Sequence, residues 1–492
     1  MKRYFYILFL FVLSLEACYE DKGNYDYDPI APIEMKGINS EYTVYCMIDT
    51  LHINPQFQNK ENYDFLWTMF SNTIVQAPVD TISREPELHH RIVEGSDVYT
   101  VVLTVINRNN GDRQSFTTQV AIYTQFSKGC YILKEVDGAT DIDLLTPESK
   151  LVENILEGTS ARVAGKPMAF TVCPDINYID DNGEAQSRVT TVWICSDQDA
   201  RMLRLDDMTP VYDIHTMFYE EMPNESPRNI FISNNLVYLS NNGCYNLALL
   251  VPTAMHKFGY PLRVSNASEG TSDGCSCSKY GILKQSYYMF YDERNGRFLS
   301  VNNGIMKRFL DVDQKGNPVN FPYSSNNMDC DLIYMGNSAA NGYALMRDRK
   351  NQQYMMYKLE TAEYDKYDGY LFSPLLKVLY LTSANKIVSG ETFGSNETYA
   401  FTYFSIGNQL NFFDFTTDSG QEQLNILPGL EGNITLIKHL KIGVNEEYLV
   451  VATEQDGHYK LYFCKMIAGR PDLSKTPTVI EGEGKPVQIF VL

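Results

Sequence analysis

The chain has 492 residues, with 41 Lys and Arg against 61 Asp and Glu, and a formal charge of −20. That balance argues against nucleic acid, whose binding needs clustered basic residues that release counterions, and against adhesion to anionic lipid through a basic patch; an acidic, solvated surface is the reading it supports. With 35 Tyr, 25 Phe and 2 Trp, and β-branched or aromatic runs punctuated by Asn-Gly and Asp-Gly, the chain is expected to be all-β.

Residues 1–17 read as a lipoprotein signal peptide. Lys2 and Arg3 form a short basic region, Tyr4 to Leu15 is an apolar run broken only by Ser14, and Leu15-Glu16-Ala17-Cys18 closes it with a small residue before a cysteine. The run is too short to span a bilayer as a helix and has the layout of a cleaved signal. It resembles a bacterial lipoprotein signal, in which Cys18 becomes the lipidated first residue; an ordinary cysteine behind an uncleaved anchor is the plainer alternative. Each buried CH₂ contributes about 0.8 kcal/mol and more than one acyl chain is needed for stable anchoring, so a lipidated Cys18 would hold the protein without a transmembrane helix. Residues 18–29 are acidic and polar, without hydrophobic periodicity, and form a solvated tether.

Residues 30–125 are expected to form an immunoglobulin-like β-sandwich. Candidate strands run over 42–48, 50–57, 63–70, 88–92, 98–106 and 115–123, separated by turn-rich segments that include Asn110-Gly111. Phe65, Trp67 and Met69 alternate along one strand, as the core Trp of such a sandwich does. Cys46 stands alone, so packing rather than a disulfide must hold the fold. A small helix is expected at the junction, with Thr146 as N-cap, Pro147 at its first position, Gly158 past its end, and Leu151, Val152, Ile155 and Leu156 as its apolar stripe.

Residues 126–492 repeat. Hairpin-like units begin near Cys130, Thr190, Leu236, Tyr287, Tyr343, Tyr399 and Glu447, the last six at steps of 46 to 56 residues. That period is of the size of a four-stranded propeller blade, and seven units predict a seven-bladed β-propeller. The strand 487–491 is placed to close the ring by pairing with the first unit, which would remove exposed edges. A row of sandwiches is the competing arrangement.

Several short motifs invite chemistry. Gly270-Thr271-Ser272-Asp273-Gly274 matches the G-x-S-x-G elbow, which needs a strand-to-helix turn above a parallel sheet; a Ser/Gly/Cys-rich loop offers neither. Cys275-Ser276-Cys277, with His256 near in sequence, lacks the second ligand pair of a structural zinc site, so two free thiols or a local disulfide are expected. Asp311-Val312-Asp313-Gln314-Lys315-Gly316 opens like a calcium loop, but Pro322 stands where the bidentate Glu belongs, and an inter-strand turn is expected; Asp180 to Glu184 reads as a hairpin tip. His89 and His90 are expected to point to opposite faces of one strand. Nine cysteines besides Cys18, most of them in apolar runs, read as small buried hydrophobes. No catalytic residue, metal site or cofactor is assigned.

Cys18-Tyr19-Glu20-Asp21-Lys22-Gly23-Asn24-Tyr25, Phe65-Leu66-Trp67-Thr68, and Gly129-Cys130-Tyr131-Ile132-Leu133-Lys134 through Asp141-Ile142-Asp143-Leu144-Leu145 together resemble the PKD-like family lipoproteins of Bacteroidetes. The resemblance implies a cell-surface protein of the outer membrane, accessory to starch-utilisation-type nutrient uptake, near a TonB-dependent importer and its lid lipoprotein. A non-catalytic binding or scaffold role toward a glycan or peptide is the preferred expectation. A propeller-fold hydrolase or lyase acting on polysaccharide, recognisable by carboxylates clustered at one end of a central channel, and an adhesion protein are the alternatives.

Overall fold

The computed structural model describes residues 32–492 apart from 47, 73–76, 223, 250–254, 266–271, 285–286, 339–340, 362–364, 367–369, 418–419 and 443–445. The signal peptide, Cys18 and the tether lie outside the described residues. The chain divides into two compact units, Met1–Ile122 and Tyr123–Leu492. No helix among the described residues is long and apolar enough to cross a membrane.

The first unit is built from β1 (Glu41–Tyr45), β2 (Thr50–Ile53), β3 (Tyr63–Ser71), β4 (Asp80–Ser83), β5 (Leu88–Arg91), β6 (Asp97–Asn107) and β7 (Arg113–Tyr123). One sheet has the order β1-β7-β6-β3-β4, and β2 pairs with β5 in the other. The alternation of β3 buries Phe65, Trp67 and Met69 in one core with Leu51, Ile53, Leu88, Leu103 and Val105. Each such side chain contributes roughly 1.5–3 kcal/mol on burial. Trp67 also donates its indole N–H to the Glu85 carbonyl at 2.9 Å. Cys46 is a half-buried cysteine outside any disulfide, packed against this core. The β6–β7 hairpin turns at Gly111, whose φ of 77° is the positive value such a turn requires. The edge strand β4 is not foreseen by the sequence pattern: its four residues are exposed or half-buried, so no alternation marks it.

The second unit contains, among the described residues, seven antiparallel sheets of three or more strands. In six of them consecutive strands are neighbours, starting from Pro167–Ile179, Pro227–Ile232, Cys277–Lys284, Cys330–Asn337, Phe393–Ser395 and Asn433–Ile442. The remaining sheet combines Cys130–Val136, Ala139–Leu145 and Leu151–Val152 with Lys485–Val491, which pairs with Cys130–Val136. The sequence repeats starting near Thr190, Leu236, Tyr287, Tyr343, Tyr399 and Glu447 fall on the second and third strands of their sheets. The leading strands touch in series, Pro167–Ile179 against Pro227–Ile232 and so on to Asn433–Ile442, which lies against Lys485–Val491; that strand in turn lies against Pro167–Ile179. Among the described residues no single sheet closes on itself.

The helix expected over residues 146–158 does not form. Leu151 and Val152 are a short edge strand opposite Leu145 and Leu144. Two buried carboxylates then take the backbone N–H groups that a helix would have used. Asp143 accepts from Asn154 at 2.8 Å and Asp141 from Leu156 at 2.9 Å. The apolar stripe is thus an edge strand followed by a turn, with Leu156 buried.

A buried polar cluster joins the two ends of this series of sheets. Lys134 Nζ lies 2.6 Å from Asp143 Oδ1, both side chains being fully buried. Tyr459 donates its hydroxyl to Asp143 Oδ2 at 2.7 Å, and Lys134 donates to the Glu483 carbonyl at 2.8 Å. Burial pushes the Asp143 carboxyl up from the ordinary carboxylate range, while Lys134, the Asn154 N–H and Tyr459 hold it down. Gly484, with φ of 98°, precedes the closing strand where a Cβ would meet the Glu135 carbonyl oxygen at 2.6 Å, so only glycine fits that approach.

Candidate functional site

The leading strands bring together residues far apart in sequence around a cavity of about 730 Å³, within the 300–1,000 Å³ range of small-ligand sites. Pro167 and Met168, Asn229, Lys279 and Tyr280, Glu391 to Phe393, Asn433 to Ile437, and Lys485, Val487 and Gln488 line it from the leading halves of their strands or the residues just before them, and Glu454 completes the rim.

One wall is aromatic. Tyr334, on the leading strand between those of Tyr280 and Phe393, packs edge-on against Tyr280 and stacks on Phe393, each with ring centroids 5.2 Å apart. Its hydroxyl shares a hydrogen bond with Ser395, which fixes the middle ring. Ile434, Leu436, Ile437 and Val487 add aliphatic lining.

Part of the polar lining braces the walls. Gln488 accepts from the Phe170 N–H at 2.9 Å and donates to its carbonyl at 3.2 Å. Thr392 donates to the Ile434 carbonyl at 2.9 Å, and Asn229 to that of Lys279 at 2.9 Å. The Thr435 hydroxyl is buried with no partner among the described residues.

Two cations and two carboxylates complete the lining. Glu391 Oε2 accepts from the Gly407 N–H at 3.2 Å and Glu454 Oε1 from the Gly457 N–H at 2.9 Å. Lys279 sits 4.8 Å from the centre of the Tyr280 ring. Among the described residues none of Lys279, Glu391, Glu454 and Lys485 has an oppositely charged side chain within 4.0 Å. The arrangement presents flat aromatic surface, hydrogen-bonding groups and unpaired charges of both signs to whatever enters.

The motifs singled out in the sequence lie elsewhere. Gly270 and Thr271 are outside the described residues, and Ser272–Asp273 is a short strand paired with Val264–Ser265, not a strand-to-helix elbow. Cys275 and Cys277 are free, buried thiols with sulfurs 3.7 Å apart. His256 is tied instead to Asn177, whose N–H it accepts at 3.0 Å. Among the described residues no group of three or more His, Cys, Asp or Glu is placed to hold a metal. Asp313 closes a turn by accepting the Lys315 and Asn317 N–H groups at 2.8 Å. Asp180 caps a hairpin tip by accepting those of Asn182 and Glu184 at 3.0 and 2.9 Å. His89 is exposed while His90, on the other face of β5, bonds Glu94 at 2.8 Å.

No curated protein matches the sequence. Among solved structures, a quinoprotein alcohol dehydrogenase-like protein from Bacteroides thetaiotaomicron is 13% identical, with a TM-score of 0.38, over 94% of this chain and 100% of that one. The extracellular domain of a hybrid two-component system from B. thetaiotaomicron is 8% identical, with a TM-score of 0.32, over 91% and 70% of the two chains. At such scores neither carries an argument about fold or activity. Residues 18–171 match the PKD-like family, a stretch that takes in the sandwich and runs on into the first strands of the second unit.

Proposed function

We propose that the second unit is a seven-bladed β-propeller whose central cavity binds a glycan or peptide without transforming it. We further propose that the protein is a surface lipoprotein of the outer membrane, held through Cys18 and accessory to nutrient uptake. The propeller reading is supported by seven sheets whose leading strands touch in series and by the strand 485–491, which completes the first sheet. The observation that carries the binding role is the cavity itself, where the Tyr280 and Phe393 rings and unpaired charges line one open cavity. Aromatic faces are large, rigid contact surfaces at low entropic cost. The surface placement rests on the signal-like residues 1–17, Cys18 and the acidic tether.

Isothermal titration of the full chain against a panel of oligosaccharides and peptides tests the binding role. A ligand that binds the wild type and is weakened tenfold or more by Y280A or F393A supports it. No binding across the panel, or binding untouched by both substitutions, overturns it. Co-purification of an importer from solubilised membranes, lost in C18A, tests the placement and partner. A second reading, a polysaccharide hydrolase or lyase, is favoured by one observation, that Glu391 and Glu454 both line the cavity. Turnover of a polysaccharide that is abolished by E391Q or E454Q would put that reading first.

A further inference from the structure

Outside the cavity, the sandwich carries a pair of imidazoles that neither the packing nor the proposed function uses. His52 on β2 and His89 on β5 are direct cross-strand partners. Their Nδ1 atoms are 2.8 Å apart, with the rings at 79° and their centroids 4.8 Å apart. Both are exposed, so solvent reaches the gap between them. Neighbouring Leu51, Ile53 and Leu88 are buried in the sandwich core, which fixes the backbone that carries the pair. His89 Nε2 faces Glu87 Oε2 at 3.7 Å, and Lys60 holds the other oxygen of that carboxylate at 3.5 Å.

We propose that His52 and His89 form a surface site for a divalent transition-metal ion of the Ni²⁺ or Cu²⁺ type, with water filling its other positions. In the metal-free pair one Nδ1 donates to the other, so one lone pair is already aimed into the gap. When the ion binds, the proton on the donating Nδ1 moves to that ring's Nε2, leaving both imidazoles neutral and both Nδ1 lone pairs on the metal. For His89 that Nε2 lies 3.7 Å from Glu87 Oε2, and a small rotation of that carboxylate would complete the carboxylate–histidine pairing that orients imidazole ligands and raises their basicity. With metal–nitrogen bonds of about 2.0–2.1 Å, two ligands of one ion stand about 2.9 Å apart at right angles and about 3.3 Å in a tetrahedron, so the 2.8 Å of the hydrogen-bonded pair needs little change for both rings to reach one ion. The choice of Ni²⁺ or Cu²⁺ rests on the ligand type, since imidazole suits both.

The test is calorimetric titration of the untagged full chain with Ni²⁺ alone. One ion per chain is expected, with affinity lowered tenfold or more in H52Q and in H89Q. E87Q should lower it about tenfold, as loss of an outer partner does, and H90Q should leave it unchanged. Cu²⁺ bound to the wild type should show nitrogen hyperfine splitting from two imidazoles in its paramagnetic resonance spectrum, reduced in H52Q. Circular dichroism should confirm that all four variants are folded. Absence of a one-to-one site in the wild type, or equal binding by wild type and H52Q, overturns the proposal.

Discussion

Replacing Lys134 with Met removes the cation paired with Asp143 and keeps most of the side-chain volume. At 2.6 Å the gross attraction is about 6 kcal/mol with an effective dielectric constant near 20, and the cost of burying Lys134 offsets much of it. What the substitution leaves behind decides the outcome: an Asp143 carboxylate with no exposure, still bonded to Tyr459 and the Asn154 N–H but with its charge uncompensated. Breaking a buried pair in this way costs about 3–5 kcal/mol. The Asp143 carboxyl, already pushed up by burial, will relieve part of that by taking a proton. K134M combined with D143N should therefore be markedly less damaging than K134M alone, recovering roughly half the loss. Y459F removes one hydrogen bond to a charged acceptor and should cost about 1.5–3 kcal/mol. The chain has 2 Trp, Trp67 in the first unit and Trp193 in the second, so urea unfolding followed by fluorescence in a W67F background reports on the second unit alone. A loss below about 1 kcal/mol for K134M, or a double mutant as unstable as the sum of the singles, would refute this account of the cluster.

Two further predictions concern titratable groups. His439 is buried, accepts the Glu397 N–H at its Nδ1 at 3.1 Å, and is held below its ordinary value of 6.5 chiefly by burial. The unfolded chain binds that proton more readily, so the contribution of His439 is present above pH 6.5 and is lost as pH falls below it. Urea midpoints from pH 7.5 to 5 should decline less steeply in H439Q, and an unchanged slope would contradict the assignment. Burial pushes the thiols of Cys130, Cys173, Cys330 and Cys464 up to about 12, and of the described cysteines only Cys46 is not fully buried. A disulfide reagent at pH 8 should label about one thiol per chain before denaturation; several fast-reacting thiols would show that the second unit opens readily.

The parts of the fold legible in the sequence are those where one strand carries its own pattern. Phe65, Trp67 and Met69 alternate, and β3 buries them as that alternation requires. The repeats were legible because each sheet has a buried second strand rich in aromatic and β-branched residues, such as Val192-Trp193-Ile194-Cys195 or Tyr288-Met289-Phe290-Tyr291. The stretch 146–158 misled because its apolar spacing and cap residues satisfy a helix locally. Asp141 and Asp143, several residues upstream, capture its N–H groups, and no window over 146–158 contains them. The cavity was illegible for a related reason. Six leading strands each contribute one to a few residues, so no linear motif joins Lys279 to Glu391 or Tyr280 to Phe393. The signal available was positional: most of these residues lie on the strand just ahead of a repeat's start.

The pairing of Lys485–Val491 with Cys130–Val136 has a consequence for how the protein is made. Lys134 and the Glu483 carbonyl it binds are 349 positions apart, and closing so long a loop costs about 5 kcal/mol of chain entropy. During synthesis the edge of Cys130–Val136 must wait, unpaired, for nearly the whole of the second unit to follow. An open edge of this kind is a template for a second chain, and the interval is when intermolecular strand exchange competes with folding. Gly484 and the Lys134 cluster bear on that contest, since a foreign strand with a Cβ at the glycine position would collide with the Glu135 carbonyl and one without a carbonyl in place of that of Glu483 would leave a Lys134 hydrogen bond unmade. Variants there should raise misassembled oligomer during expression before they lower the stability of correctly folded protein.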